Sequence, residues 1–271
     1  MKQWINANAL FCDDFKAVIL CEYSYEMKLL KRLIEITEAG IDMKKPKDTW
    51  NHDGICYLFA KSIADYAKMA YDNFLLGHFS ATNMINRVII ENNICLDILL
   101  NYRQEELWKY YLVYSFKKTI SLPGEEVSEK QKDSLEQMYI QYEIDSEFLK
   151  KRRSPSGKSK PAFIDCPYGW TYKINEQFNF EGLCKLVDKS EYKDFRMMSD
   201  YSHGTAIHLK LGESTSMDHI MNMISCIYIG LYRLVRMYCL DYVDPEFDDV
   251  TEKIENILYD YIHESERIYT D

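Results

Sequence analysis

What the chain lacks narrows its chemistry first. Its eight cysteines, Cys12, Cys21, Cys56, Cys95, Cys166, Cys184, Cys226 and Cys239, stand singly, with no CxxC pair and no repeated spacing. Zinc sites and disulfide frameworks need paired spacings, so no metal or cofactor is expected and a reducing cytoplasm is the simplest setting. Residues 1–10, MKQWINANAL, lack the apolar core and small-residue cleavage site of a secretory leader, and the protein is expected to stay inside the cell. No run is apolar enough to suggest a membrane. Ile220–Leu240 comes nearest, but Asn222, Ser225, Arg233 and Arg236 interrupt it and fall with Asp218 on one helical stripe, as in a core helix wetted along one side.

Several familiar catalytic patterns are also missing. Ser156-Gly157-Lys158-Ser159 has the ending of a phosphate-binding P-loop, but Arg152 stands where the first glycine is required, and no strand precedes it. His203 and His208 are separated by five positions and a glycine, unlike the helical zinc pair H-E-x-x-H. No G-x-S-x-G turn is present, which leaves a serine hydrolase without its nucleophile. Internal repeats, heptad arrays and low-complexity runs are absent as well.

What is present is helical periodicity. The apolar spacing predicts helices at roughly 8–38, 53–76, 80–101, 104–120, 126–151, 179–189, 191–203, 215–242 and 247–267. Breaks are expected at Lys44-Lys45-Pro46, Pro123-Gly124 and Asp244-Pro245, and Thr215 with Asp218 has the form of a capping box. The fold class is therefore all-α: a multi-helix bundle spanning 1–244, with an irregular inserted loop at 152–178 and an acidic C-terminal helix at 245–271. The first half of that loop reads as mobile. Its second half, with Tyr168, Trp170 and Tyr172 close together, reads as docked.

Charge is unevenly spread. The net value is −10, and from Asp241 to Asp271 there are eleven Asp and Glu against two Lys and Arg, so the acidity belongs to the tail. Within the nearly neutral remainder lies KKRRSPSGKSK, whose Lys150, Lys151, Arg152, Arg153, Lys158 and Lys160 carry six positive charges and no negative one. Such a run suits a nucleic acid backbone, held through counterion release. A solvated loop is the plainer alternative.

Two helices hold residues suited to chemistry. On 80–101, Ile85, Val88, Ile89, Leu96 and Leu99 form an apolar stripe around Asn92, Asn86, Asn93 and Asp97 make the solvent side, and Arg87 and Glu91 face other protein. Arg87, Glu91 and Asn92 then form either a structural polar network or the lining of a site. Further on, Arg196 and His203 lie seven positions apart and leave the same helical face. Arginine offers a permanent cationic fork and histidine titrates near neutral pH, a plausible pair for cutting a phosphodiester. Gly204 ends the helix just beyond His203. Ser199, Asp200 and Tyr201 would orient the pair. In the structural alternative His203 caps the helix and Arg196 pairs with Asp200.

The segment running from Trp170 through Asn175, Phe180, Leu186 and Tyr192 to Ser199-Asp200-Tyr201-Ser202-His203-Gly204 resembles an uncharacterised all-helical bacterial family with a late Ser-x-Tyr-x-His-Gly signature. An earlier arginine–glutamate helix, here Asn86 to Asn92, and Glu106 to Tyr111 fit the same pattern. More distantly, Arg196, six intervening residues and His203 are similar to the R-x(4–6)-H motif of the HEPN superfamily. That resemblance implies a metal-independent endoribonuclease of a toxin or antiviral defence system, working as a homodimer and paired with a regulatory or antitoxin protein. His203 would help activate the RNA 2′-hydroxyl or protonate the leaving oxygen, and Arg196 would stabilise the charged phosphorane. The alternative is a non-catalytic helical binding or regulatory module that recognises a protein or small ligand through Arg87, Glu91, Asn92 and His203.

Overall fold

The computed structural model describes residues 12–121, 126–154, 156–187, 217–239, 241–242 and 244–270. Their regular secondary structure is α-helical apart from one two-residue strand pair and short 3-10 turns, so the chain is an all-α multi-helix protein. In order the helices are α1 (Cys12–Glu22), α2 (Ser24–Met43), α3 (His52–Leu75), α4 (Phe79–Asn101), α5 (Leu107–Ile120), α6 (Glu129–Gln141), α7 (Ser146–Leu149), α8 (Phe180–Leu186), α9 (Met217–Tyr238) and α10 (Phe247–Thr270). The strands β1 (Arg152–Arg153) and β2 (Ser159–Lys160) pair antiparallel.

The described residues fall into two compact units. One draws on Met1–Lys45, Tyr57–Asn93 and Lys193–Asp271, the other on Pro46–Cys56 and Ile94–Tyr192, so α3 and α4 each contribute to both.

In the first unit α2 packs against α9 and α10. Leu30, Leu33, Ile34 and Ile41 of α2 are buried, as are Ile227, Leu231 and Leu234 of α9. α10 is acidic outside, but Phe247, Val250 and Ile254 recur at near-helical spacing and are buried, so this helix is built into the core. Carboxylates at its start meet cations of the same unit: Glu246 accepts from Arg32 Nε at 2.7 Å and Asp248 from Arg236 Nη2 at 3.1 Å. The small side chains Ala60, Ala64 and Ala67 lie on one buried face of α3. Thr82 of α4 is buried and donates to the Ala70 carbonyl of α3 at 3.5 Å.

In the second unit α5 packs against α6 and against two 3-10 turns, Phe163–Asp165 and Gly169–Thr171. Trp170 is fully buried and meets Tyr111 edge-on, with ring centroids 5.4 Å apart. A Cβ at Gly169 would sit 1.7 Å from the Phe163 carbonyl oxygen, so only glycine fits there. The second half of the long irregular segment is thus docked, as its aromatics suggested.

Several expected boundaries move. The helix expected at 8–38 is two, α1 and α2, with a break at Tyr23 that no glycine or proline announces. The one expected at 126–151 is α6 and α7. It stops where Glu143 adopts a left-handed conformation (φ 50°) and the Ile144 N–H donates back to the Tyr139 carbonyl. Glycine is the usual residue at such a helix end, so glutamate gave no signal. Glu106, also left-handed (φ 51°), starts α5 three residues later than expected. At the start of α6, Ser128 and Gln131 form a reciprocal capping box that the sequence reading missed. Pro123-Gly124, the helix expected at 191–203 and the proposed Thr215 cap lie outside the described residues.

The assignment of Asn86 and Asn93 to the solvent side of α4 is overturned. Asn86 is 1% exposed and Asn93 3%, whereas Ile85 and Val88 of the expected apolar stripe are only half-buried. The reason is close packing in the first unit: Gly230 of α9 lies against Ile89, and Asn93 Nδ2 donates to the Gly230 carbonyl at 3.2 Å.

Candidate functional site

Arg196, Ser199, Asp200, Tyr201 and His203 lie outside the described residues. Two groups of candidate residues are described, each within its own unit: the polar band of α4 in the first and the basic hairpin in the second.

On α4, Thr82, Asn83, Asn86 and Asn93 are buried and Arg87, Glu91 and Asn92 half-buried. Asn92 Nδ2 donates to Ser62 Oγ of α3 at 3.2 Å. Arg87 and Glu91 are both engaged by other groups. Asn86 Nδ2 and Oδ1 and Asn93 Oδ1 have no hydrogen-bond partner among the described residues. Buried polar atoms left this way cost about 1–3 kcal/mol each, and native structures carry few of them.

The basic segment is a hairpin. Arg152 pairs with Lys160 and Arg153 with Ser159, and the turn closes with the Ser154 N–H donating to Lys158 O and the Gly157 N–H to Ser154 O. Gly157 sits at φ 77°, a conformation that suits glycine. The six cations do not share one role. The guanidinium carbon of Arg152 lies 4.2 Å from the Phe163 ring centroid and 5.1 Å from that of Phe178. Arg152 Nε donates to Pro161 O and Nη2 to Cys166 Sγ, so this arginine roots the hairpin on the docked half of the loop. Lys150, Lys151, Arg153, Lys158 and Lys160 are exposed. Lys150 Nζ reaches Ser146 Oγ, whereas among the described residues no hydrogen bond or ion pair ties down the side chains of the other four.

Two further clusters in the second unit went unread in the sequence. His52 Nδ1 lies 3.0 Å from Asp53 Oδ1 and Nε2 lies 3.0 Å from the Leu99 carbonyl, so the ring is anchored on both sides. The hydrogen bond from His52, with Arg103 3.1 Å away as a lesser contributor, holds the Asp53 carboxyl below its usual range. Cys56 Sγ is nearly equidistant from the two ring nitrogens, at 4.0 and 3.8 Å, and makes a close hydrogen bond to neither. Burial pushes its thiol up to about 12. A buried thiol beside an imidazole whose nitrogens are already engaged is no activated nucleophile. The spacing of His52 and Cys56, four apart on α3, was legible; Leu99 and Arg103 were not.

In the other cluster, Asp145 Oδ2 accepts from Tyr110 OH at 2.8 Å and Tyr172 OH at 2.5 Å, with Lys173 Nζ 3.6 Å away. The Tyr172 hydrogen bond, followed by that of Tyr110, lowers the Asp145 carboxyl; burial and then the Asp145 bond raise the Tyr172 phenol. Tyr110, Phe148, Tyr172, Phe163 and Phe178 continue from there as successive ring contacts to Arg152. This cluster is the foundation of the hairpin.

Among the described residues no group of three or more His, Cys, Asp and Glu is placed to hold a metal ion, and no helix is long and apolar enough to cross a membrane. An all-helical protein with a polar helix and a rooted basic hairpin is the class these features define. Residues 52–219 match the model of a family of unknown function, DUF5677, and the chain belongs to that family. No curated protein and no solved structure matches it.

Proposed function

We propose that this protein is a metal-independent endoribonuclease of the HEPN type, in which Arg196 and His203 act on the scissile phosphate and the basic hairpin recruits RNA. The observation that supports recruitment is the presentation of five exposed cations on a hairpin rooted by Arg152, since a charged segment with a fixed base orders little on binding. Cleavage rests on the Arg196–His203 spacing in the sequence. In the proposed reaction the 2′-oxygen attacks the adjacent phosphorus, its proton leaves to a base, and the 5′-oxygen departs with a proton supplied by an acid. His203 serves in one of these transfers and Arg196 stabilises the charge that builds on phosphorus. Two copies of the chain would pair their motifs in the reducing cytoplasm, within a defence or toxin system restrained by a regulatory protein.

The test is incubation of the purified protein with single-stranded RNA in the presence of EDTA. Cleavage leaving 2′,3′-cyclic phosphate ends, inert 2′-deoxy substrate, and loss of activity in His203→Ala and Arg196→Ala by at least about a hundredfold are expected. Intact RNA, or equal cleavage by His203→Ala, overturns the proposal. The non-catalytic alternative draws support from Asn86, whose buried carboxamide has no partner among the described residues next to the engaged Arg87. On that reading Arg87→Ala harms function at least as much as Arg196→Ala.

A further inference from the structure

The hairpin separates its cations by face. Side chains paired across an antiparallel ladder share a face, and successive residues of an extended chain alternate. Arg152 and Lys160 therefore share one face, the one Arg152 turns onto Phe163 and Phe178. The hydrogen bond from Ser154 N–H to Lys158 O continues the pairing and places Lys158 on that side too. Arg153 and its partner Ser159 lie on the opposite face. Lys151 is two residues before Arg153 in extended chain that begins at Lys150 (ψ 140°), so it joins that opposite face. Lys151, Arg153 and Ser159 are all exposed.

We propose that one strand of RNA runs along this second face, with successive phosphates on Lys151 and Arg153 and the Ser159 hydroxyl beside them. This rests on the RNA reading above and refines it. At about 3.3 Å per residue, the backbone positions of the two residues stand roughly 6.6 Å apart, a separation from which their side chains can reach neighbouring phosphates on a single strand. Arg153 brings a planar fork to one phosphate and Lys151 a mobile point charge to the next. A two-stranded ribbon offers one narrow row of charge, which favours a single strand over the broad surface of a duplex. Arg152 is a positioning residue: its guanidinium is held between two phenylalanine rings, with hydrogen bonds to Pro161 O and Cys166 Sγ.

The experiment measures binding of a fluorescent, mixed-sequence single-stranded oligoribonucleotide to the full chain across a salt series, in a His203→Ala background that keeps the probe intact. Lys151→Gln with Arg153→Gln should weaken binding at least about tenfold and flatten the log affinity against log salt slope by about 1.4, two single-strand phosphate contacts at roughly 0.7 each. Lys158→Gln with Lys160→Gln removes the same charge and should change the slope by less than about 0.3. Arg152→Lys keeps its charge and should weaken binding as much as Arg152→Gln, because the planar stack is lost in both. Helical circular dichroism of all variants should match the parent. Equal slope changes from the two double variants, or rescue by Arg152→Lys, overturn the face assignment while leaving RNA binding intact. No binding by the parent overturns both.

Discussion

Replacing Gly230 by alanine sets three effects against one another, and their sizes decide the sign. Alanine inside a helix is favoured over glycine by about 1 kcal/mol, so at an exposed position this substitution in α9 would stabilise. Here a Cβ would meet Ile89 Cγ2 at 2.4 Å, far inside van der Waals contact. Overpacking of that kind costs about 1–3 kcal/mol. Moving α9 off α4 also strains the hydrogen bond from Asn93 Nδ2 to the Gly230 carbonyl, at a residue whose Oδ1 already has no partner among the described residues. Losing it adds about 1–3 kcal/mol. The net expectation is a loss of about 1–5 kcal/mol, read as a drop in the urea midpoint of roughly 0.5–2 M with an unchanged slope. A double-mutant cycle isolates the cause. Ile89→Ala removes Cγ2 and costs about 2–5 kcal/mol alone, but in that background Gly230→Ala should cost less than about 1 kcal/mol. The same cost in both backgrounds, or parental stability for Gly230→Ala, refutes the packing argument.

Two further outcomes follow from the ionisable groups. The hydrogen bonds from Tyr172 and Tyr110 hold the Asp145 carboxyl below its unfolded value, so its contribution is complete above about pH 5 and is lost as pH falls through the unfolded and then the folded value. The stability gap between the parent and Asp145→Asn, measured by urea unfolding from pH 7 to pH 3, should hold steady down to about pH 5 and then narrow; a constant gap across that range refutes the assignment. Cys21 is exposed and Cys56 buried with its thiol raised to about 12, so at pH 8 a maleimide should label Cys21 quickly and Cys56 only after unfolding. Labelling of both at one rate in the native protein would contradict the burial.

Helical class and most helices were legible because an amphipathic helix carries its own period along the chain. That held for α3, α4, α9 and α10, whose apolar residues recur at helical spacing. It failed at Glu143 and Glu106, because a left-handed helix end made by glutamate carries no glycine to mark it. It failed again at Asn86 and Asn93, where polarity was taken for exposure. A single helix cannot reveal that Gly230, far along the chain, brings a second helix against that face. The same holds for the basic run: its charge was evident, but not its hairpin register or the two phenylalanines that remove Arg152 from the exposed set.

Local spacing by itself determined an all-helical chain, an acidic end and a concentrated cationic loop, since period and charge are properties of neighbours in sequence. Tertiary structure alone decided which asparagines are buried, that the acidic helix seals part of a core, and which cations of the loop face outward. Those outcomes depend on contacts between residues separated by tens to hundreds of positions, such as Asn93 with Gly230 and Arg32 with Glu246. No local pattern encodes a partner that distant.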